Sequence, residues 1–476
     1  MRLLIINPPR VGGYPVVREE RFEHKDLGSV YPPLSLLYCA AVAEQAGHTV
    51  EFIDANGQDL AMQRVAQRVS ASTAAACLVR LAFDTQQADL QVLQAAKARG
   101  MRTLCRLKIV GDTPWLLQEF MQAHAEVDLF LLDEPECLLE PVLASLESGQ
   151  GLEACPGIAW RRPDGSLAVN PPGRLMDPAE LPLPAYHLLG SLAVYHTGVL
   201  AAPFTVVQSS RGCPFTCSFC AFGRLPWRKR PVGQVLDELA WLKSAYGLRR
   251  FLFFDDVLTL DRERTCALMQ GMLDRGLGLE WVCCTRANCV DQELLALMKQ
   301  AGCREIAFGI ESGSDAVLEG THKGVGKDSM RQAARWCHEA GILFYGLAII
   351  GLPGETEQSV EDTIAFINEL EPFYTQFSFC VPFPNTEAYA WYESRGYLAT
   401  KDWSQYFPLA DQPIIRTEAL RAEDLVRLRR KLYLRTMMRP RQLLRAVHWH
   451  DPLWNLKAGF KFLGRVVRVA LRRPVR

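Results

Sequence analysis

Two long stretches of this chain repeat one rhythm, a short apolar run of strand length followed by a longer run with helical periodicity. In the first stretch, residues 3–6, 50–53, 76–83, 103–110 and 127–132 read as strands, and periodic segments lie near 34–46, 59–69, 87–99 and 115–124. Strand–helix alternation of this kind implies a parallel sheet with helices on both faces. Its ligand crevice would lie beyond the carboxyl ends of the strands. The rhythm resumes at 205–209, 250–254, 281–285, 305–310, 343–350 and 377–381, with helical segments such as 232–245, 291–300, 328–340 and 357–370. Six such units predict a partial barrel, whose functional residues belong at the carboxyl ends of its strands. The expected organisation is therefore α/β: a doubly wound domain at 1–150, a hairpin and proline-rich linker at 151–203, a partial (βα)6 barrel at 204–390, and a helical region with a basic tail at 391–476.

Directly after the first strand of the second block comes Arg211-Gly-Cys-Pro-Phe-Thr-Cys-Ser-Phe-Cys-Ala, with Cys213, Cys217 and Cys220 at C-x3-C-x2-C spacing. Three thiolates so placed can hold three irons of a 4Fe–4S cluster, because soft thiolate is the ligand such clusters select. No fourth local cysteine follows, so one iron keeps an open coordination position. A zinc site lacks a histidine or fourth cysteine near enough in sequence to complete it. A disulfide framework is disfavoured because nothing marks the chain for export; fifteen cysteines then read as mostly free thiols in a reducing, cytoplasmic compartment.

The later strands of the block end in polar clusters: Phe253-Phe-Asp-Asp-Val-Leu-Thr259, Thr285-Arg286, Gly309-Ile-Glu-Ser-Gly313, Gly351-Leu-Pro-Gly-Glu-Thr356 and Pro382-Phe-Pro-Asn-Thr386. One such end is a turn; five around one barrel rim describe a site for a charged, nucleoside-bearing ligand. With the cysteines, they resemble the strand-end motifs of the radical S-adenosylmethionine (SAM) superfamily over about residues 200–390. In that superfamily the open iron chelates SAM, and one electron cleaves it to a 5′-deoxyadenosyl radical. The resemblance implies that Phe219 lies by the adenine and Asp255 and Asp256 near the methionyl amine. It likewise places Arg286 near the carboxylate, and Glu311 near the ribose with Ser312 beside it. A second cluster built from Cys283, Cys284, Cys289 and Cys303 is disfavoured, since adjacent residues of a strand face opposite sides.

The first block, with Tyr31-Pro-Pro-Leu-Ser-Leu-Leu-Tyr38, Gly111-Asp112 and Asp133-Glu-Pro-Glu136, resembles the cobalamin-binding domain fused to many radical SAM proteins. That likeness implies cobalamin contacts at Asp54, Gly111 and Glu134. The DxHxxG signature, whose histidine ligates cobalt in that fold, is absent, and Asp54-Ala-Asn-Gly-Gln stands in its place. No GxGxxG follows a strand, so dinucleotide binding is unsupported. Arg80, inside an apolar run, has two readings: a stem covering the lower corrin face, or an edge arginine snorkelling to water, which is the favoured one.

Charge is zero overall but unevenly spread. Residues 421–476 hold sixteen Lys or Arg against three acids, a net +13, so the first 420 residues carry −13. In 459–473, Lys461, Arg465, Arg468 and Arg472 share one helical face, the pattern of a helix on an anionic membrane surface. A solvated terminal helix and a nucleic-acid contact are the alternatives, the latter disfavoured because no dedicated RNA module follows the core. No apolar run is long enough to span a bilayer. The expected function is a cobalamin-dependent radical SAM methyltransferase acting on an unactivated carbon of a small-molecule or lipid-like substrate. A flavodoxin, ferredoxin or reductase would supply electrons. Oxidative cyclisation or C–C bond formation with the same cofactors, and a non-catalytic corrinoid or iron–sulfur carrier, are the alternatives.

Overall fold

The computed structural model describes residues 1–437 apart from 20, 21, 27, 198 and 199, so the amphipathic segment expected at 459–473 lies outside the described residues. The chain separates into two compact units, Met1–Thr197 and Gly198–Arg476. Among the described residues no helix is long and apolar enough to cross a membrane.

The first unit contains β1 (Arg2–Asn7), β2 (Val16–Glu19), β3 (Phe22–Lys25), β4 (Thr49–Asp54), β5 (Ala76–Arg80), β6 (Arg102–Arg106), β7 (Leu129–Leu131), β8 (Ile158–Arg161) and β9 (Leu167–Val169). Its sheet runs in the order β4-β1-β5-β6-β7-β8-β9. The first five are parallel, as expected, and β8 and β9 extend the sheet antiparallel beyond β7. Helices Leu34–Gln45, Met62–Ala71, Gln86–Ala98 and Pro114–Ala123 fall where the periodicity put them. A fifth, Pro135–Ser148, packs Leu138, Leu139 and Leu143 into a core with Leu3, Ile5 and Leu104.

Three local readings change. The apolar run 103–110 stops being a strand at Arg106, because the backbone N–H groups of Lys108 and Ile109 turn to the Glu23 carboxylate at 2.7 and 3.4 Å. Hydrophobicity cannot say where a ladder ends; a competing acceptor can. Secondly, the hairpin expected inside a linker is part of the sheet. The proline-rich stretch after it packs on this unit, with Met176 N–H on Glu134 at 2.9 Å, Gly173 N–H on Asp133 at 2.8 Å and Tyr186 fully buried. Thirdly, the β2–β3 hairpin, invisible to hydropathy, enters the unit through polar groups. Arg18 makes a bidentate pair with Asp89 at 3.0 and 2.6 Å, both side chains 1% exposed.

In the second unit, β10 (Phe204–Val207), β13 (Arg250–Phe253), β14 (Glu280–Thr285), β15 (Cys303–Glu311), β16 (Leu343–Ile350) and β17 (Tyr374–Phe379) form a six-stranded parallel sheet in sequence order, while β11 (Ser210–Arg211) pairs with β12 (Arg228–Lys229). This is the expected partial barrel. Its two faces differ plainly. On β16 and β17, Phe344, Gly346, Ala348, Ile350, Thr375, Phe377 and Phe379 are buried beneath helices, the Phe377 ring lying edge-on to Tyr433 of Ala422–Met437 at 4.9 Å. The alternating residues Leu343, Tyr345, Leu347, Ile349, Tyr374, Gln376 and Ser378 are half-buried and line the concave inner face. Strand periodicity of two makes that division inevitable. Cys283 sits on the outer side beside Cys337, and Cys284 on the other. Helix Glu357–Leu370 starts at a reciprocal Thr356–Ser359 capping box.

Glu305, early on β15, belongs to the inner face, paired in register with Val282 and Leu343. Burial alone pushes its carboxyl from 4.5 up to about 8. The native chain therefore keeps a proton that the unfolded chain releases, and this group's contribution to stability falls as pH rises between those values. Glu305→Gln is expected to raise the melting temperature at pH ~8 and leave it unchanged near pH ~4, read by thermal denaturation at both.

Candidate functional site

The cysteine loop is built from below by a carboxylate. Asp255, immediately past β13 and fully buried, accepts from the Ser209 N–H at 3.1 Å, the Ser209 hydroxyl at 2.8 Å and the Ser210 hydroxyl. Arg264 reinforces the same turn by donating to the Ser209 and Arg230 carbonyls at 2.8 and 3.0 Å. Burial raises the Asp255 carboxyl, and these donors oppose the rise. Asp255 was expected to reach a methionyl amine; its oxygens instead hold the start of the cysteine loop, since a carboxylate wholly out of water takes the donors that the packed chain brings to it. Asp256 is half-buried and close enough to Cys213 and Cys220 to raise both thiols.

Past β11 the backbone turns at Gly212, whose φ is +88° and whose missing Cβ would collide with the Pro226 carbonyl. Only glycine tolerates both conditions. The loop then closes on itself through Leu225 N–H to Cys213 O at 3.0 Å and Arg224 N–H to Phe215 O at 3.0 Å. Ser218 N–H anchors it to Thr321 O at 2.8 Å. Cys213, Cys217, Phe219 and Cys220 are all half-buried on this loop at the carboxyl end of the barrel.

Burial is the main cause that pushes the Cys220 thiol up to about 12, and it raises Cys213 too. Metal-free, such thiols stay protonated; they ionise when a cationic centre sits among them. Among the described residues no three His, Cys, Asp or Glu side chains converge tightly enough for a single metal ion. A cuboidal cluster holds its ligands at separate corners, and three half-buried thiols on one hydrogen-bonded loop fit it.

Arg286, at the end of β14, lies over the Phe215 ring at 3.5 Å, reaches Cys217 Sγ at 3.7 Å and donates to the Lys323 carbonyl. Lys323 in turn donates to Glu311 Oε1 and the Gly309 carbonyl, both at 2.6 Å. Glu311 and Lys323 are only 8% and 7% exposed. Glu311 sits at a β-bulge with φ +59°, and a Cβ on Gly309 would occupy the position of this ion pair. Arg286 and Glu311 are thus joined beside the cysteine loop through Lys323, which the sequence reading missed. Nothing local in Thr321-His-Lys-Gly signals a role; only the fold brings that loop to Glu311. Ser312 is fully buried, sharing a hydrogen bond with Thr363 at 3.3 Å and accepting from Ser314 N–H at 3.2 Å, so it shapes the turn and does not face the rim.

In the first unit the three expected cofactor contacts each have close neighbours within the unit. Asp54 accepts from Asn7 at 2.7 Å, from Gly57 N–H at 2.9 Å and from the Tyr195 hydroxyl. Glu134 accepts from Met176 N–H, and a Cβ on Gly111 would press on Arg106 at 2.6 Å. Arg80 does not snorkel: it is 1% exposed and pairs with Glu23 at 3.2 Å. Asp54 and Arg80 close the carboxyl ends of their strands, β4 and β5.

Residues 207–367 match the Radical SAM superfamily. The chain is 28% identical to an uncharacterised methyltransferase of Pyrococcus horikoshii, over 99% of this chain and 98% of that one. It is 25% identical to the anaerobic magnesium-protoporphyrin IX monomethyl ester cyclase of Cereibacter sphaeroides, over 84% of this chain and 66% of that one. The solved structure of the cobalamin-dependent SAM radical enzyme OxsB, with aqua-cobalamin and SAM bound, has the same fold: TM-score 0.75 over 98% of this chain and 71% of that one, at 13% identity. Residues 207–367 are thus a radical SAM domain by that match, and the fold of the chain is that of the cobalamin-dependent SAM radical enzymes.

Proposed function

We propose that this protein is a cobalamin-dependent radical SAM methyltransferase that methylates an unactivated carbon of a small molecule. The observation that carries the reading is the Cys213–Cys217–Cys220 loop, set at the carboxyl end of six parallel strands and following a complete parallel-sheet unit. End-to-end likeness to a protein named as a methyltransferase supports the reaction type. When bound, the cluster supplies one electron to cleave SAM, and cobalamin supplies a transferable methyl group.

This chain's own residues do the positioning. Asp255 and Arg264 fix the turn that aims the cysteines. Arg286 brings a permanent positive charge to within 3.7 Å of Cys217 Sγ, on the side where a cluster would be held. The Glu311–Lys323 pair fixes a carboxylate at the rim, where it can accept hydrogen bonds from a ribose. No step is assigned to Asp54, Gly111 or Glu134, whose printed contacts lie within the first unit.

Ring closure with the same cofactors is the second reading, favoured by the cyclase likeness. Anaerobically reconstituted protein with reductant and SAM is expected to form 5′-deoxyadenosine. Product mass then separates the readings: methylation adds a CH2 unit, and cyclisation removes hydrogens. A carrier protein would form no 5′-deoxyadenosine at all. The lipid-like substrate, the flavodoxin- or ferredoxin-type donor and a basic tail resting on an anionic inner membrane face rest on sequence. The tail is tested by liposome flotation of the full chain against a truncation near 455.

A further inference from the structure

Below the cluster rim, the inner face of β16 and β17 carries a row of neutral polar groups set in apolar walls. Tyr345 donates its hydroxyl to Gln376 Oε1 at 2.8 Å, and Gln376 Nε2 donates to Ser378 Oγ at 3.3 Å. Tyr345 stacks on Tyr374 with ring centroids 5.3 Å apart and planes at 12°. Leu347 and Ile349 complete the row's surroundings, Leu347 in register with Gln376 and Ile349 with Ser378. The direction of the hydrogen bonds leaves the Ser378 hydroxyl proton and the second Gln376 N–H to be donated elsewhere.

No Asp, Glu, Lys or Arg stands on β16 or β17. Among the described residues of the six strands, Glu280 is paired with Arg250 at 3.0 Å and with Arg304, Glu311 is paired with Lys323, and Glu305 holds its proton near neutrality. The row is continuous with the candidate site, because Gly309 of β15 stands in register with Leu347, and Leu347 with Gln376. A wall of this kind penalises a charged guest, which would be desolvated without a counter-ion, and rewards an apolar one.

We propose that this face is the substrate pocket of the enzyme and that it selects an uncharged, largely apolar molecule presenting one acceptor oxygen to Gln376 and Ser378. The inference rests on the enzymatic reading above and narrows its substrate class. Tyr374 supplies a flat surface for an unsaturated or ring portion, and Leu347 and Ile349 cover the saturated part.

Prodan, an uncharged naphthyl ketone, is the probe, titrated into the full-length protein and followed by its emission. Saturable, blue-shifted binding is expected. Leu347→Glu is expected to weaken it at least about tenfold by placing a charge in the wall. Gln376→Leu is expected to weaken it about threefold to tenfold, with no matching loss for an uncharged phenylnaphthylamine that lacks an acceptor oxygen. Ser378→Ala, too mild to disturb folding, should move prodan in the same direction. Equal prodan binding in the wild type and all three variants overturns the proposal. So does tighter binding of the sulfonated phenylnaphthylamine than of the uncharged one. The titration needs neither cluster nor SAM, so failure to form 5′-deoxyadenosine would overturn the enzymatic reading and leave the pocket standing.

Discussion

Cys217→Ala is expected to abolish cluster retention and reduce 5′-deoxyadenosine formation to background. The three cysteines sit on one loop pinned by Gly212, Leu225 and Ser218, so each thiol has its own place on that loop. Cys284 faces the lumen from β14 and Cys283 the helices, each held by its strand. Loss of one thiolate leaves two ligands and removes the sulfur that Arg286 approaches at 3.7 Å. Iron per chain after anaerobic reconstitution, about four in the wild type for a 4Fe–4S centre, is the readout. Cys266→Ser, on helix Arg262–Asp274 away from the loop, is expected to retain full iron. Undiminished iron in the Cys217 variant would remove the cluster assignment.

The second large effect is at Lys323. Its ion pair with Glu311 is almost wholly out of water, and Lys323 also satisfies the Gly309 carbonyl. Breaking such a pair from one side leaves an uncompensated buried charge and costs about 3–5 kcal/mol. Lys323→Met should therefore lower the melting temperature by on the order of 10 °C. The double variant Lys323→Met with Glu311→Gln should recover much of that loss, because the stranded charge is gone. SAM affinity should not recover with it, since the rim carboxylate is also gone. A Lys323→Met variant as stable as the wild type would show that the pair is solvated in solution.

Much of this was legible in the residues alone. Strand and helix positions follow from apolar periodicity, which is a local property; ten of the eleven strands read from it are within a few residues of place, and the eleventh, 103–110, ends early at Arg106. The C-x3-C-x2-C spacing specifies its ligand chemistry without any fold, because three thiolates within eight residues must share one loop.

What the sequence could not supply was direction. Asp255 and Asp256 are adjacent and chemically identical, yet one is buried against two serines and the other faces the thiols. Asp54 and Glu134 read as ligand contacts; nothing in the letters shows that they also accept from Tyr195 and Met176, residues 141 and 42 positions away. Arg80 read as an edge residue until Glu23 was found against it, 57 positions off. Composition and spacing say which groups can bond; a buried polar group bonds to whatever the packed chain brings within 3 Å, and only the tertiary structure decides that. The alternation on β16 and β17 was present in the letters from the start, but which half faced the lumen depended on where the helices lay.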